Sequence, residues 1–415
     1  MRSRWIVVLL TLVLFLSACT TPMSQYEDTG VIETSQEDAD VNEVPVEAHE
    51  TPPLAPTSTN LHMISTGGGH SLLLRDNGEL WSWGWNDSGQ IGDGSLGPPD
   101  HLVPVQVMEN VVSVATGDRH TVAIDNDGVL WTWGCNLDGQ IGDGTWTNRL
   151  RPTRIKEDVV AVSAGDAHTM AITSDGVLWG WGSNMYGQLG QERIAFEDRA
   201  YLSEGTFLNS PVQIMDDVIA VSAGWWYTMA ITEDGTLWGW GDNRQGQING
   251  DTEIRYHHTP VKVMGDVIAV SAGIYHTMAI TGDGTLWAWG DNAFGQLGDG
   301  TTINRDSPVK IMQDIVTVST RGGHTMAITT DGVLLGWGVN YVGQLGDGTT
   351  TNSYRPVQIM DDVVAVSAGL FHTIAITADG TLWGWGGNMV GQLGDSTTVD
   401  RHNPIEILVD SDISE

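Results

Sequence analysis

The stretch Val366-Ser367-Ala368-Gly369-Leu370-Phe371-His372-Thr373 decides the fold, together with two segments that follow it. These are Asp379-Gly380-Thr381-Leu382-Trp383-Gly384-Trp385-Gly386 and Asn388-Met389-Val390-Gly391-Gln392-Leu393-Gly394. The unit recurs throughout the chain. Its Trp-x-Trp-Gly marker falls at Trp81/Trp83, Trp131/Trp133, Trp179/Trp181, Trp238/Trp240, Trp287/Trp289 and Trp383/Trp385, with one degenerate copy at Leu335/Trp337. A Gly-Gln pair follows every marker, from Gly89 to Gly391, and a Pro opens an apolar run after each, from Pro104 to Pro404. Seven copies spaced about 48 to 50 residues apart, with one interval stretched to 59, signal a propeller, a solenoid or an array.

Each unit reads as four short strands rich in β-branched and aromatic residues, with no 3.6-residue period. In the last copy strand A covers 363–367, B 372–376, C 382–385 and D 404–408. Between B and C lies an Asn-Gly or Asp-Gly pair (Asn77-Gly78, Asp127-Gly128 and so on to Asp379-Gly380), which predicts two-residue type I′ hairpins. Four antiparallel strands repeated seven times predict an all-β, seven-bladed β-propeller. The D-to-A connection is short (Met360-Asp361-Asp362) and the C-to-D connection long. D is therefore expected to pair with the next unit's A. Residues 404–408 would then complete the blade begun by 61–66, closing the ring by pairing the N- and C-terminal strands.

The Ser-Ala-Gly-x-x-His-Thr, Asp-Gly-x-Leu-Trp-x-Trp-Gly and Asn-x-x-Gly-Gln-Leu-Gly segments resemble the regulator of chromosome condensation repeat over about residues 61 to 408. The resemblance implies a seven-bladed propeller. Its best-known members are guanine nucleotide exchange factors for a nuclear GTPase and bind chromatin; bacterial relatives include secreted proteins, among them an inhibitor of β-lactamases. Fold alone does not fix which of these applies.

Charge and the N-terminus narrow the choice. The 415 residues carry 18 Lys+Arg against 52 Asp+Glu, a formal charge of −34, so the chain would repel nucleic acid. Two cysteines cannot staple a chain of this length. Arg2 and Arg4 precede an apolar run from Trp5 to Leu16, then Ser17-Ala18-Cys19. This reads as a secretory signal over 1–18. Cys19 after Leu-Ser-Ala resembles the bacterial lipobox, which implies cleavage before Cys19 and acylation there with palmitate-type chains. The protein would then be held on the extracytoplasmic side of a bacterial membrane by lipid alone. Residues 19–60 contain no Lys or Arg and five prolines, a disordered acidic linker. The propeller spans 61–408, and 409–415 form an acidic tail.

With strands alternating in direction, A–B and C–D loops share one face, and the B–C and D–A turns the other. The A–B loops differ between copies: Asp118-Arg119, Trp225-Trp226, Ile274-Tyr275 and Leu370-Phe371 occupy equivalent places. What differs among internal copies is not fixed by the fold. One copy also has Tyr227 in place of the recurrent His. Trp and Tyr are over-represented in binding hot spots. The expected partner-binding arc is therefore Trp225, Trp226, Tyr227, Ile274, Tyr275, Leu370 and Phe371, with Asp118 and Arg119. An insertion at about 191–209, next to the Trp pair, is a second candidate. The repeated Trp-x-Trp side chains are expected in the core.

Other chemistry is less well supported. His70, His120, His168, His276, His324 and His372 recur once per blade, too far apart to share one ion, and are expected to anchor their own loops. The Gly-Asp-Gly segments lack the alternating acidic ligands of a calcium loop. Cys135 stands at a position that varies widely between copies. No nucleophile elbow or phosphate-binding loop occurs. The expectation is a non-enzymatic module with no cofactor and no metal, whose partner is a protein. Alternatives are carbohydrate binding, inhibition of a secreted enzyme, and exchange-factor activity.

Overall fold

The computed structural model describes residues 63–98, 100–191, 207–250 and 253–409. The signal, Cys19, the linker, most of the 191–209 insertion and the tail beyond 409 lie outside them. The described residues form 28 strands in seven four-stranded antiparallel sheets. Blade two is representative: Val111–Thr116 (A), His120–Asp125 (B), Leu130–Gly134 (C) and Arg149–Lys156 (D).

The sheet order is A-B-C-D in every blade, so blade and sequence repeat coincide. This corrects the expected offset. Arg401–Glu406 pairs with Leu382–Gly386 of its own repeat, and Met63–Thr66 pairs with His70–Leu74; the terminal strands do not share a sheet. The short D-to-A connection can change sheets because Asn110, Asp158, Asp217, Asp266, Asp314 and Asp362 adopt φ between 58° and 64°. Asn and Asp tolerate this left-handed region best after Gly. The turn then docks on the preceding hairpin, as in Val111 N–H to Gly78 O, 3.0 Å. The long C-to-D segment returns to its own sheet, although the stretch after its Gly-Gln pair docks on the next blade, as in Gly94 N–H to Leu150 O, 2.9 Å.

The hairpins also differ from expectation. Gly78 has φ +82° but Asn77 is not left-handed. Gly78 N–H donates to Arg75 O at 2.9 Å and Arg75 N–H to Glu79 O at 3.0 Å. This is a four-residue turn ending in a glycine bulge, not a type I′ pair. Strand D begins earlier than its proline: Pro104 lies inside His101–Met108, beside a register shift between Ser82 and Gly84 on the partner strand. An outermost strand tolerates the missing donor there.

The ring closes by side-chain bonds that recur from seam to seam, except that Trp289 Nε1 makes none between blades four and five. Thr121 Oγ1 of blade two donates to Gln90 O of blade one (2.8 Å), and Trp133 Nε1 donates to the same carbonyl (3.0 Å). With its only proton committed, Thr121 Oγ1 must accept from His70 Nε2 (3.0 Å), which fixes a proton on Nε2. At the closing seam Ser71 and Trp83 donate to Gln392 O (2.8 and 2.9 Å), and His372 Nε2 meets Ser71 Oγ at 2.8 Å. Blade seven thus meets blade one as any blade meets the next.

Hydrophobic clusters fill the seams; one joins Ile64, Leu73, Trp81 and Trp83 to Ile374, Ile376, Leu382 and Leu393. The second Trp of each marker is fully buried. The first is mostly half-buried, a correction to the expectation of two core rings. Its N–H reaches the end of strand B instead, as in Trp179 to Thr173 Oγ1, 3.2 Å.

Candidate functional site on the A–B and C–D face

The A–B and C–D loops do share one face. Trp85, at the start of a C–D loop, donates its N–H to Gly69 O in an A–B loop (2.8 Å), and its ring lies 4.7 Å beneath the Arg119 guanidinium. The innermost A strands line the channel, where Ser65, Thr66, Thr116, Ser163, Ser222 and Ser367 surround about 140 Å³.

The expected arc divides into three parts. Trp226 lies in an aromatic cluster with Tyr186 (4.9 Å), Tyr275 (5.7 Å) and Trp225 (5.9 Å), and Tyr186 continues it to Tyr256 (5.6 Å). Arg244 covers this cluster, 5.2 to 5.8 Å from Tyr186, Trp226 and Tyr256, while it chelates the buried Asp242 carboxylate. Hydrogen bonding to Asp242 holds the guanidinium charged. Trp225, Leu370 and Asp118 instead line a small recess at the channel mouth, with Asp166 and Arg321. Phe371 stands apart on blade seven, 54% exposed, packed beside Gly387. Ile274 is half-buried.

Tyr227 does not belong to the surface. It is fully buried and takes the place of the seam histidine: its O–H reaches Thr277 Oγ1 (2.9 Å) and donates to His276 O (2.5 Å). Burial pushes its hydroxyl pKa up. The ring is bulkier than imidazole and ties the same seam differently: its proton goes to His276 O, while Thr277 Oγ1 donates to Gln247 O (2.7 Å).

Two residues central to the mouth carried a weaker signal in the sequence. Arg321 stands where the other copies have Gly67, Gly117, Gly165, Gly224, Gly273 and Gly369, and that replacement was the available sign. Its Nη1 donates to Thr116 O (2.7 Å) on the far side of the channel. Asp166 is raised to about 6 by burial and then by Asp118, with Arg321 and a hydrogen bond from Trp226 opposing the shift. Asp118 is also raised by burial.

The histidines bind the next blade rather than their own loops, as His276 Nε2 does with Thr325 Oγ1 (3.2 Å). Burial lowers His70, His168, His276, His324 and His372 to about 3, and His120 well below its ordinary value. The Gly-Asp-Gly loops are organised around an amide. Asn292 Nδ2 donates to Asp299 Oδ1, Thr301 O and Ile303 O, each at 3.1 Å, and Asp299 also takes Arg305 Nε at 2.7 Å. Among the described residues no group of three or more His, Cys, Asp or Glu is placed to hold a metal. Cys135 is buried and unpaired.

Comparison with known proteins places this architecture. Residues 157–414 match the RCC1-like domain model. Residues 77–124 and 127–172 match the Regulator of chromosome condensation (RCC1) repeat. No curated protein sequence matches the chain. Among solved structures, human WBSCR16 superposes with a TM-score of 0.70 at 24% identity, covering 80% of this chain and 94% of that one. Prp20p from Saccharomyces cerevisiae gives 0.68 at 20% identity, covering 86% and 89%. The same yeast protein in complex with Kap60 gives 0.68 at 19% identity, covering 90% and 92%. These identities show a shared fold; the match to the domain model over most of the repeat array shows more, and the chain belongs to the RCC1-like domain family.

Proposed function

We propose that this propeller is a lipid-anchored, extracytoplasmic recognition module that docks a protein on its A–B and C–D face. One observation carries the reading. Eleven of the seventeen exposed large apolar side chains among the described residues lie in the loops of that face, including Leu137, Tyr341, Phe371 and Met389 at 54 to 80% exposure. The opposite face is built of Asp-Gly hairpins and acidic D–A turns. Their concentration on one face favours that face as the interaction surface. A closed scaffold that holds such loops rigid loses little entropy on binding. That Prp20p, with the same ring, binds Gsp1p and histones supports a protein partner. Carbohydrate stacking is disfavoured because Arg244 and neighbouring rings already cover Trp226. The lipid anchor rests on the Leu16-Ser17-Ala18-Cys19 segment.

The test is capture from surface extract with the full-length protein. One dominant protein is expected, lost when Tyr341→Ala and Phe371→Ala are combined, since hot-spot truncations cost about 2 kcal/mol or more each. It should be retained by Val112→Ala with Ile268→Ala on the other face. Equal capture by both double variants would refute the assignment. Labelled palmitate should enter the wild type and not Cys19→Ser.

A further inference from the structure

Six of the seven seams carry a second bond, near the channel mouth. A serine one residue before the end of strand A accepts, at its Oγ, the N–H of the last residue of strand A in the next blade. Ser65 takes Thr116 N–H (3.1 Å), Ser163 takes Ala223 (2.9 Å) and Ser222 takes Ala272 (3.0 Å). Ser271 takes Thr320, Ser319 takes Ala368 (both 3.0 Å), and Ser367 takes Thr66 (3.1 Å) across the closing seam. The exception is the seam between blades two and three. There the equivalent residue is Ala115, which has no hydroxyl to offer Ala164.

Arg321 reaches that same seam from blade six. Its Nη1 donates to Thr116 O of blade two (2.7 Å) and lies 3.4 Å from Ala164 O of blade three. Its Nη2 donates to Gly165 O of blade three (3.4 Å). The only blade to replace the loop glycine with a side chain thus sends that side chain to the only seam without the serine. A guanidinium is suited to this task, because its planar fork presents several donors in fixed directions. The guanidinium is buried, which works against its charge, and Asp118 and Asp166 are the carboxylates that oppose that effect.

We infer that Arg321 is a cross-channel clasp. It ties blades two and three through their carbonyls at the seam that lacks the serine bond, closes the channel mouth, and fixes the loops that carry Asp118, Arg119 and Asp166. It is a positioning residue: three blades converge on one side chain, and the recess beneath Trp225 and Leu370 takes its shape from it. The bearing on recognition rests on the docking reading above, but the clasp can be tested without any partner.

The experiment is a double-mutant cycle in the full-length protein, read by hydrogen–deuterium exchange of peptides covering 113–119 and 161–168 and by thermal midpoint. Arg321→Gly restores the residue of the other six blades, so the loop can fold. It is expected to raise exchange in both peptides roughly tenfold or more, as for loss of charge-assisted hydrogen bonds. Ala115→Ser should change little alone but return most of that protection in the Arg321→Gly background, by rebuilding the serine bond. Arg321→Lys keeps a positive charge beside Asp118 and Asp166 without the fork, and is expected to resemble Arg321→Gly in exchange. The clasp is overturned by unchanged exchange in Arg321→Gly, or by an equal effect of Ala115→Ser in both backgrounds. Wild-type protection in Arg321→Lys would also overturn it, since charge compensation alone would then suffice.

Discussion

Acidification should dismantle this ring well above the pH at which ordinary carboxylates titrate. Six buried seam histidines each donate from Nε2 to a hydroxyl whose own proton is committed elsewhere, and burial disfavours their charged form. Their pKa values lie at about 3, or well below normal for His120, against 6.5 for an unperturbed imidazole. The folded state therefore binds no proton at these sites where the unfolded chain does. Their contribution is fully present above pH 6.5 and is lost as pH falls toward 3. Between about pH 7.5 and 5.5 each histidine removes about 1.4 kcal/mol, so six remove about 8 kcal/mol. Asp166, raised to about 6, works in the opposite direction: its folded form gains a proton in this range and returns only about 1 kcal/mol. The histidines win, and the remainder rivals the whole stability of many domains, about 5 to 15 kcal/mol. Urea denaturation at pH 7.5, 6.5 and 5.5, followed by tryptophan fluorescence, should show a midpoint that falls steeply through this range. His168→Tyr, which copies the solution the chain itself uses at Tyr227, should remove about one sixth of the dependence. A loss of less than about 2 kcal/mol over the range would refute the reasoning, because the histidines could not then be neutral donors in the fold.

Three further outcomes follow from the geometry. Gly117→Ala would place a methyl 2.1 Å from the His120 ring and 2.9 Å from Gly165 O. It should cost about 3 kcal/mol or more, whereas Gly265→Ala, with nothing within 4 Å, should stay within about 0.5 kcal/mol; a thermal melt compares them. Asn292→Ala removes the amide that holds its C–D loop, so limited proteolysis should cut near 299–304 in the variant first, and the melting point should fall by several degrees. Because Asp166, raised to about 6 by burial, shares its recess with Trp225, a difference fluorescence titration should show a transition near pH 6 in the wild type and none in Asp166→Asn.

The ring, its count of blades and three of its four strands per blade were legible because the same spacing repeats seven times and turn residues punctuate it. The blade boundary was not. Connection length alone favoured a D strand shared with the next repeat, yet a left-handed Asp or Asn crosses between sheets in two residues, and an asparagine amide folds the longer segment back on itself. The Asp-Gly pairs marked the hairpins correctly but not their geometry, since a dipeptide does not reveal that Arg75 O and Glu79 O close the turn. At the site, the variable loops were readable as positions where copies disagree. Tyr227 was misplaced with them because a disagreement inside the scaffold looks, in sequence, like one at a loop tip. Arg321 carried a single-residue signal, a side chain where six copies have Gly, but its target lies across the channel and about 200 residues away, a distance that a repeat pattern does not encode.

That distinction separates scaffold from function more generally in this molecule. A departure from the repeat that serves the ring supplies a bond across a seam. Tyr227 O–H takes the imidazole's place at its seam and donates to His276 O of the next blade, and Arg321 bridges the carbonyls at the seam where Ala115 supplies no hydroxyl. Phe371, Tyr341 and Met389 supply nothing of the kind: they are more than half exposed, and equivalent positions in other blades hold small or polar residues such as Ala167, Asp87 and Ala293 without loss of the strand pairing. Since seam bonds come from backbone carbonyls and from side chains set back from the loop tips, the ring is indifferent to what the tips display. An apolar display that the fold does not require, gathered on one face, has its explanation outside the chain, in the surface that covers it.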